Sequence, residues 1–323
     1  MLIFIILWLT YMLLFIILGI TTGGFIPLQT SINSQLGNRV KTPFLSSLIS
    51  FIIGALFLFI LSLVTEADLP LINDTLSALP WWGYLGGIIG MLCLTLNIFL
   101  FPILGSVQTV VIPMVGQILM SMVIDNFGWL DTQPSPLTLA KLAGIVLIIA
   151  GIMITLALPG ILAKQTPRPR STTKSSKFIW QITALLDGFA FATESTINGH
   201  VGTVLKSPIH SAFLTFLIAT LILLVINLVQ GNFKKLGYLV AAPAPAWNFL
   251  GGVIGGINIL ITALLVPQIG ISLATILGLM GQIVISLVID HWGLLGAEVN
   301  KVNKIQVSGI LTIIFGIVTI ELI

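Results

Sequence analysis

The sequence predicts an all-α integral membrane protein with ten transmembrane helices, arranged as two inverted five-helix repeats. The composition, ten long apolar runs and an internal repeat lead to this fold class. Of the 323 residues, 57% are hydrophobic and only 7% are charged, whereas about a quarter of a soluble globular chain is charged. Because so few charges cannot cover a water-facing surface, lipid must be the solvent for most of the chain.

Ten runs are long enough for a helix to cross the hydrocarbon core, which takes about 20 apolar residues. The runs are continuous rather than alternating, and this pattern favours helices over a transmembrane barrel. Residues 1–11 lengthen the first run, either as an extension of the first helix or as an interfacial segment. The predicted spans are 12–35, 44–64, 81–100, 103–124, 137–158, 178–199, 209–230, 247–266, 270–290 and 305–322.

The two halves of the chain match each other at an offset of 165 residues, without a gap. Because each half holds five spans, an odd number, the second half must enter the membrane from the opposite side, as in many secondary transporters. We place the repeats at 1–163 and 178–323, joined by the basic, Pro- and Ser-rich linker 164–177. The matched pairs include Asn33 and Asn198, Trp82 and Trp247, Gly86 and Gly251, Gly90 and Gly255, Gln117 and Gln282, and Asp125 and Asp290.

Basic residues are distributed unevenly between the two sides that these spans define. Eleven of the 13 Lys and Arg residues fall on one side, and only Lys141 and Lys206 fall on the other. Loops rich in Lys and Arg stay in the cytoplasm. We therefore predict a cytoplasmic linker and two outward-facing termini.

The sixth span carries a stripe of polar residues. Asp187, Glu194 and Asn198 are spaced i, i+7 and i+11, which places them on one helical face. A carboxylate at the centre of a membrane helix costs about 2.5–3.5 kcal/mol even on the lenient insertion scale. This face should therefore point to the bundle interior or to a water-filled cavity.

The first span carries the matching stripe without charge, at Thr22, Gln29 and Asn33. A substrate held between the halves would meet an amide on one side and an acid on the other. The alternative is that these groups only make hydrogen bonds between helices, worth on average about 0.6 kcal/mol each.

A second stripe repeats in the fourth and ninth spans. Gln117 and Gln282 lie deep enough to line a cavity. Asp125 and Asp290 lie at the helix ends, where interface anchoring or capping is the favoured interpretation. We expect a cavity lined by spans 1, 4, 6 and 9.

The acids of the sixth span suggest proton coupling. A low-dielectric environment disfavours the charged form of a carboxyl group, and a coupled carrier must gain and lose a proton in every cycle. Our hypothesis is that Asp187 or Glu194 is the coupling or substrate-binding acid, with a small polar or cationic solute competing with the proton. Fixed hydrogen bonds that hold helices together are the alternative role.

The first span also carries a Pro-x-Gln-x-x-x-Asn pattern, formed by Pro27, Gln29 and Asn33 and followed by a basic residue and Pro43. With two five-helix halves, this pattern resembles the fused two-repeat form of the YdcZ-type family in the drug/metabolite transporter superfamily. The resemblance implies a multi-pass protein of a bacterial inner membrane, with secondary transport activity that is often described as export. The second half departs from the pattern, because Ala192 replaces the proline and Glu194 the glutamine.

Two other functional classes remain as alternatives. An intramembrane enzyme acting on lipid or polyprenyl substrates would need a Ser/His, metal or phosphate-binding cluster, and His200 and Lys206 form no convergent one. A non-transporting scaffold would need a sizeable soluble domain, and the longest loop, 159–177, is too short. We therefore expect no enzymatic activity.

The partners expected from the sequence are few. We expect a small-molecule substrate, membrane lipids and, on the coupling hypothesis, protons. The three His residues and the single Cys93 lack metal-ligand spacing, so no metal or other cofactor is expected. The basic residues flank the membrane, which argues against nucleic acid. Two fused halves make a monomer sufficient, with a homodimer as the alternative.

Overall fold

The computed structural model describes residues 2–65, 74–104, 106–158, 174–241, 244–296 and 302–321. Ten long helices make up this part of the chain, five in each half. In order they are α1 Leu2–Val40, α2 Pro43–Thr65, α3 Leu85–Leu104, α4 Ser106–Phe127, α5 Leu139–Ile152, α6 Lys174–Val204, α7 Pro208–Val229, α8 Leu250–Ile269, α9 Ile271–Trp292 and α10 Lys304–Glu321. A π-helical turn over Met153–Ala157 prolongs α5, and a short helix over Gly237–Ala241 precedes α8.

Every predicted span coincides with one of these helices, so the all-α, ten-helix fold class is confirmed. The largest differences are at α1, which continues from Leu2 to Val40 and so includes the N-terminal extension. Residues 164–173 of the predicted linker lie outside the described residues, and α6 begins at Lys174, within its last four positions.

Six helical segments of the described chain are long and apolar enough to cross a membrane. They are Met12–Val40, Pro43–Thr65, Trp81–Leu100, Pro208–Val229, Ala246–Ile269 and Ile271–Ile289. Shorter apolar segments occupy Ile112–Phe127, Leu139–Thr155 and Lys304–Ile320. The helix missing from both sets is α6, which carries Asp187 and Glu194 within its length.

The two halves pack into each other rather than side by side. Helix α1 packs mainly against α8 and α9, and α6 packs mainly against α3 and α4. Further large interfaces join α2 to α7, α5 to α10, α2 to α8 and α6 to α8. Exchanging each helix with its counterpart five places along converts α1–α8 into α6–α3 and α1–α9 into α6–α4, as expected for two inverted repeats related by a pseudo-two-fold axis. The α6–α8 interface is an exception, because its counterpart between α1 and α3 is much smaller.

Glycines allow close contact between helices of opposite halves, at the α1–α9 and α4–α6 crossings. A Cβ on Gly281 of α9 would collide with the backbone carbonyl of Ile20 on α1. The counterpart Gly116 of α4 meets the backbone carbonyl of Leu185 on α6 in the same way. Close backbone approach through small residues is the usual way in which helices associate in lipid, so the repeated Gly-Gln-Ile sequences mark these crossings.

Candidate functional site

The first part of the candidate site is an acid held between α6 and α3. Asp187 is 4% exposed, and Nδ2 of Asn97 donates to its Oδ2 at 3.1 Å. Sγ of Cys93 lies 3.8 Å from the backbone carbonyl of Asp187. The predicted inward-facing acid is therefore buried against two polar side chains of α3.

The second acid lies two turns further along the same helical face. Glu194 is 4% exposed and accepts a hydrogen bond from Nδ2 of Asn198 at 3.4 Å. A Cβ on Gly90 of α3 would lie 2.6 Å from Oε1 of Glu194. The carboxyl group therefore fits against α3 only because position 90 has no side chain.

Asn198 joins α6 to α7. Its Oδ1 accepts a hydrogen bond from Oγ1 of Thr215 at 2.7 Å, and its backbone carbonyl accepts one from Oγ of Ser211 at 2.6 Å. Gly86 provides the space for this amide, because a Cβ there would lie 2.6 Å from Oδ1. The predicted stripe of α6 is thus packed against α3 and α7.

The counterpart stripe of α1 has the same neighbours but fewer hydrogen bonds. Gln29 and Asn33 lie against Gly255 and Gly251 of α8, and Oγ of Ser46 donates to the backbone carbonyl of Asn33 at 2.6 Å. Within the described part of the chain, neither Oδ1 nor Nδ2 of Asn33 has a hydrogen-bond partner. The first half therefore keeps the backbone packing of the second half without its side-chain network.

A small cavity of about 40 Å³ opens between the halves. A cavity of this size can hold a few water molecules. It is lined by α1, α4, α6 and α9, as expected, and also by α8. Its polar lining residues are Thr22, Gln117, Ser195, Asn258, Thr262 and Thr275, and its apolar ones include Ile26, Phe191, Leu265 and Ile271.

Of the residues singled out in the sequence, Gln117 and Thr22 line this cavity. Gln282, the counterpart of Gln117, is 6% exposed and is not part of the lining. The stripes Asp187, Glu194, Asn198 and Gln29, Asn33 also lie outside it, at the interfaces of α6 with α3 and of α1 with α8. The structure therefore separates the acid stripe from the cavity.

The third helix of each half, α3 or α8, also contributes polar side chains. Asn97 bonds Asp187, whereas Asn258 and Thr262 line the cavity. The repeat contains a signal for them, because the offset of 165 aligns Asn97 with Thr262 and Cys93 with Asn258. Asn97 and Cys93 contact α6 of the other half, and Asn258 contacts α1 of the other half.

Asp125 anchors an interface, in agreement with the favoured interpretation. Its Oδ2 accepts a hydrogen bond from the backbone N–H of Ser272 at 2.8 Å, in the first turn of α9. It thereby satisfies an N–H group that α9 itself leaves without a partner. The side chain of its counterpart Asp290 lies outside the described part of the structure.

Two inverted five-helix repeats that surround a polar cavity define a membrane transporter. The chain belongs to the family described as "Putative inner membrane exporter, YdcZ", whose model matches residues 14–154 and again residues 179–319. The family places the protein in the inner membrane as a transporter of a small molecule and not as an enzyme. The double match agrees with the repeat read from the sequence.

Comparison with solved structures supports the same fold. One crystal structure, titled only as that of a protein, aligns with a TM-score of 0.60 over 96% of this chain and 96% of its own, at 14% sequence identity. No curated protein matches the chain.

Proposed function

We propose that the protein is a secondary active exporter that moves a small polar or cationic solute by alternating access, coupled to protons through Asp187 or Glu194. The observation that carries the proposal is the burial of both acids in α6, each 4% exposed. The corresponding positions of α1 hold Thr22 and Gln29. One half is thus ionisable where the other is neutral.

The acids need a charge partner that the described residues do not provide. Among these residues, neither Asp187 nor Glu194 forms an ion pair. Ionisable groups inside a membrane are costly and usually mark ion or proton pathways. A proton or a cationic solute can neutralise such an acid, and exchange between the two would couple their movements.

The inverted repeats supply the conformational change. The cavity lies on the side of the bundle where α4 ends and α9 begins, as its lining by Ile271 and Thr275 indicates. Asp187 lies near the middle of α6, one turn closer to the N-terminal end of that helix than Phe191, which lines the cavity. Rocking of one half against the other would close the cavity side and open the opposite side, because the main interfaces occur in exchanged form.

The orientation of this cycle follows from the charge bias. We propose that both termini lie outside and the linker lies in the cytoplasm, so that the cavity opens toward the outer half of the membrane. A phosphatase reporter fused to the C-terminus should be active and a fluorescent protein at the same position dark. The reverse pattern would contradict the orientation without affecting the transport proposal. A single chain contains both halves, so a monomer is sufficient.

Transport should be tested in proteoliposomes that contain an internal pH indicator. An imposed proton gradient is combined with a panel of small cations, amines, amino acids and sugars. Wild-type protein should release protons in response to at least one solute, and Asp187→Asn and Glu194→Gln should weaken or abolish the response. Full pH-driven transport by both variants would overturn the coupling mechanism.

A further inference from the structure

We infer that the cavity lined by α1, α4, α6, α8 and α9 binds an uncharged solute with both hydrogen-bond donors and acceptors, and that the acid cluster around Asp187 is its pseudo-symmetric counterpart. The inference rests on the proposed function and narrows its substrate class. It also separates the position that binds the solute from the position that carries the proton.

The two sites occupy the same place in their respective repeats. Nδ2 of Asn258 on α8 donates to the backbone carbonyl of Thr22 on α1 at 2.9 Å. Sγ of Cys93 on α3 contacts the backbone carbonyl of Asp187 on α6 at 3.8 Å. The offset of 165 relates both residues of one contact to both residues of the other, so one ancestral contact is present twice.

The side chains beside this contact differ between the repeats. Asp187 and Asn97 meet at 3.1 Å and close the space between α6 and α3. Their counterparts are Thr22 and Thr262, and a threonine side chain ends one atom closer to its backbone. These two threonines both line the cavity, so the shorter pair leaves open the space that the longer pair fills.

The open site contains hydrogen-bonding groups without partners. Thr22 is 5% exposed, and its Oγ1 has no hydrogen-bond partner among the described residues. Gln117 is 7% exposed, lines the cavity and forms no side-chain hydrogen bond to any other described residue. A buried polar group without a partner is unfavourable, and a bound solute would satisfy both the hydroxyl and the amide.

The chemistry of the lining selects against charge. Among the described residues, all polar groups that line the cavity are hydroxyls or amides, and none belongs to Asp, Glu, Lys or Arg. A cation in this position would lose its hydration without gaining a counter-charge, which is far more costly than burying a satisfied neutral group. Apolar walls with a few oriented polar groups are the usual form of a small-molecule site. The present cavity holds only a few waters, so the solute enters as the halves move apart.

Binding can be measured independently of transport through a cysteine at the cavity. In the full-length protein in detergent, Thr262→Cys is labelled with a small thiol reagent in the presence of neutral polyols, N-acetylamino acid amides, tetramethylammonium or choline. Wild type, whose single Cys93 is buried, gives the background. Asn97→Cys is the matched control at the counterpart position, and Thr275→Cys replaces Thr262→Cys if that variant does not fold.

At least one neutral polyol or amide should slow labelling of Thr262→Cys by roughly tenfold at saturation, while the cations do not and labelling of Asn97→Cys is unchanged. Adding Gln117→Leu should weaken this protection about tenfold, as expected for loss of one buried hydrogen bond. The control Gln282→Leu removes the counterpart amide, which lies outside the cavity lining. This control should change the protection of Thr262→Cys by less than about twofold.

Protection by cations alone, or by no member of the panel, would overturn the inference. Equal effects of Gln117→Leu and Gln282→Leu would also overturn it. A neutral solute could also protect Thr262→Cys and yet not be transported when a proton gradient is imposed. That result would support the binding site and contradict only the proposed proton-coupled transport.

Discussion

The two halves share their backbone packing and differ in side-chain chemistry. Ser46 donates to the backbone carbonyl of Asn33, and Ser211 donates to that of Asn198, both at 2.6 Å. Beyond this shared bond, Asn198 also pairs with Thr215, whereas the Asn33 side chain has no described partner. The α1–α2 and α6–α7 contacts therefore share one hydrogen bond, whereas the side-chain hydrogen bonds of Asn33 and Asn198 differ.

This difference shows which residues belong to the framework and which to the mechanism. Groups that recur in both halves, such as Gly116 and Gly281 at the crossings, are required by the packing itself. Groups found in one half only, namely Asp187 and Glu194, are not required for the crossing, because α1 forms it without them. Variants in matched pairs can therefore separate the two roles.

The largest effect is expected from Asp187→Asn. The new amide oxygen can still accept from Asn97, so the α3–α6 interface should survive, but the side chain can no longer exchange a proton. Proton-coupled transport should fall to the level of protein-free liposomes, with little change in thermal stability. Wild-type rates for this variant would place the coupling elsewhere.

A smaller, partial loss is expected from Glu194→Gln, which gives the second half the residue of the first. The hydrogen bond from Asn198 can persist because the glutamine oxygen replaces Oε1. This bond lies within α6, whereas the Asp187 side chain links α6 to α3. We therefore expect Glu194→Gln to slow transport less than Asp187→Asn does. The rate is measured in the same liposomes, and a loss greater than that of Asp187→Asn would reverse the assigned roles.

The matched pair Gly90→Ala and Gly255→Ala should affect stability alike and transport differently. Each added methyl group meets a polar side chain, Glu194 in one case and Gln29 in the other. Overpacking of this kind costs about 1–3 kcal/mol, measurable as lower thermal stability in detergent. Only Gly90→Ala displaces an acid, so only this variant should transport more slowly per folded molecule. Equal transport by the two variants would argue that Glu194 has no role in coupling.

The helices of this protein could be predicted from the sequence because nine of the ten contain apolar segments and the repeat adds α6 as the counterpart of α1. The same repeat fixed the inverted arrangement, because five is an odd number of spans. The orientation of Asp187 and Glu194 toward the interior also followed, since lipid exposure of a carboxyl group is too costly.

The partners of those acids could not be predicted, because apolar runs do not specify which helices pack together. Helix α6 of one half packs against α3 of the other, and this packing brings Cys93 and Asn97 to Asp187. The periodicity of the sequence does not predict this pairing of helices. For the same reason α8 was not expected at the cavity, although Asn258 and Thr262 line it. The spacing of Gly86 and Gly90 matches that of Asn198 and Glu194 in reverse, and this antiparallel match was the available signal.

The smallest expected effect is a difference in stability between Thr215→Val in α7 and Ser50→Ala at the counterpart position in α2. Oγ1 of Thr215 donates to Asn198 at 2.7 Å, so the nearly isosteric valine should cost about 0.6 kcal/mol, the average for such a bond in a membrane bundle. Oγ of Ser50 is buried without a described partner, so its removal should be close to neutral. Reversible unfolding in mixed detergent can resolve this difference. Equal losses would mean that Ser50 and Asn33 do interact, and that the two halves differ less in their polar networks than in their charge.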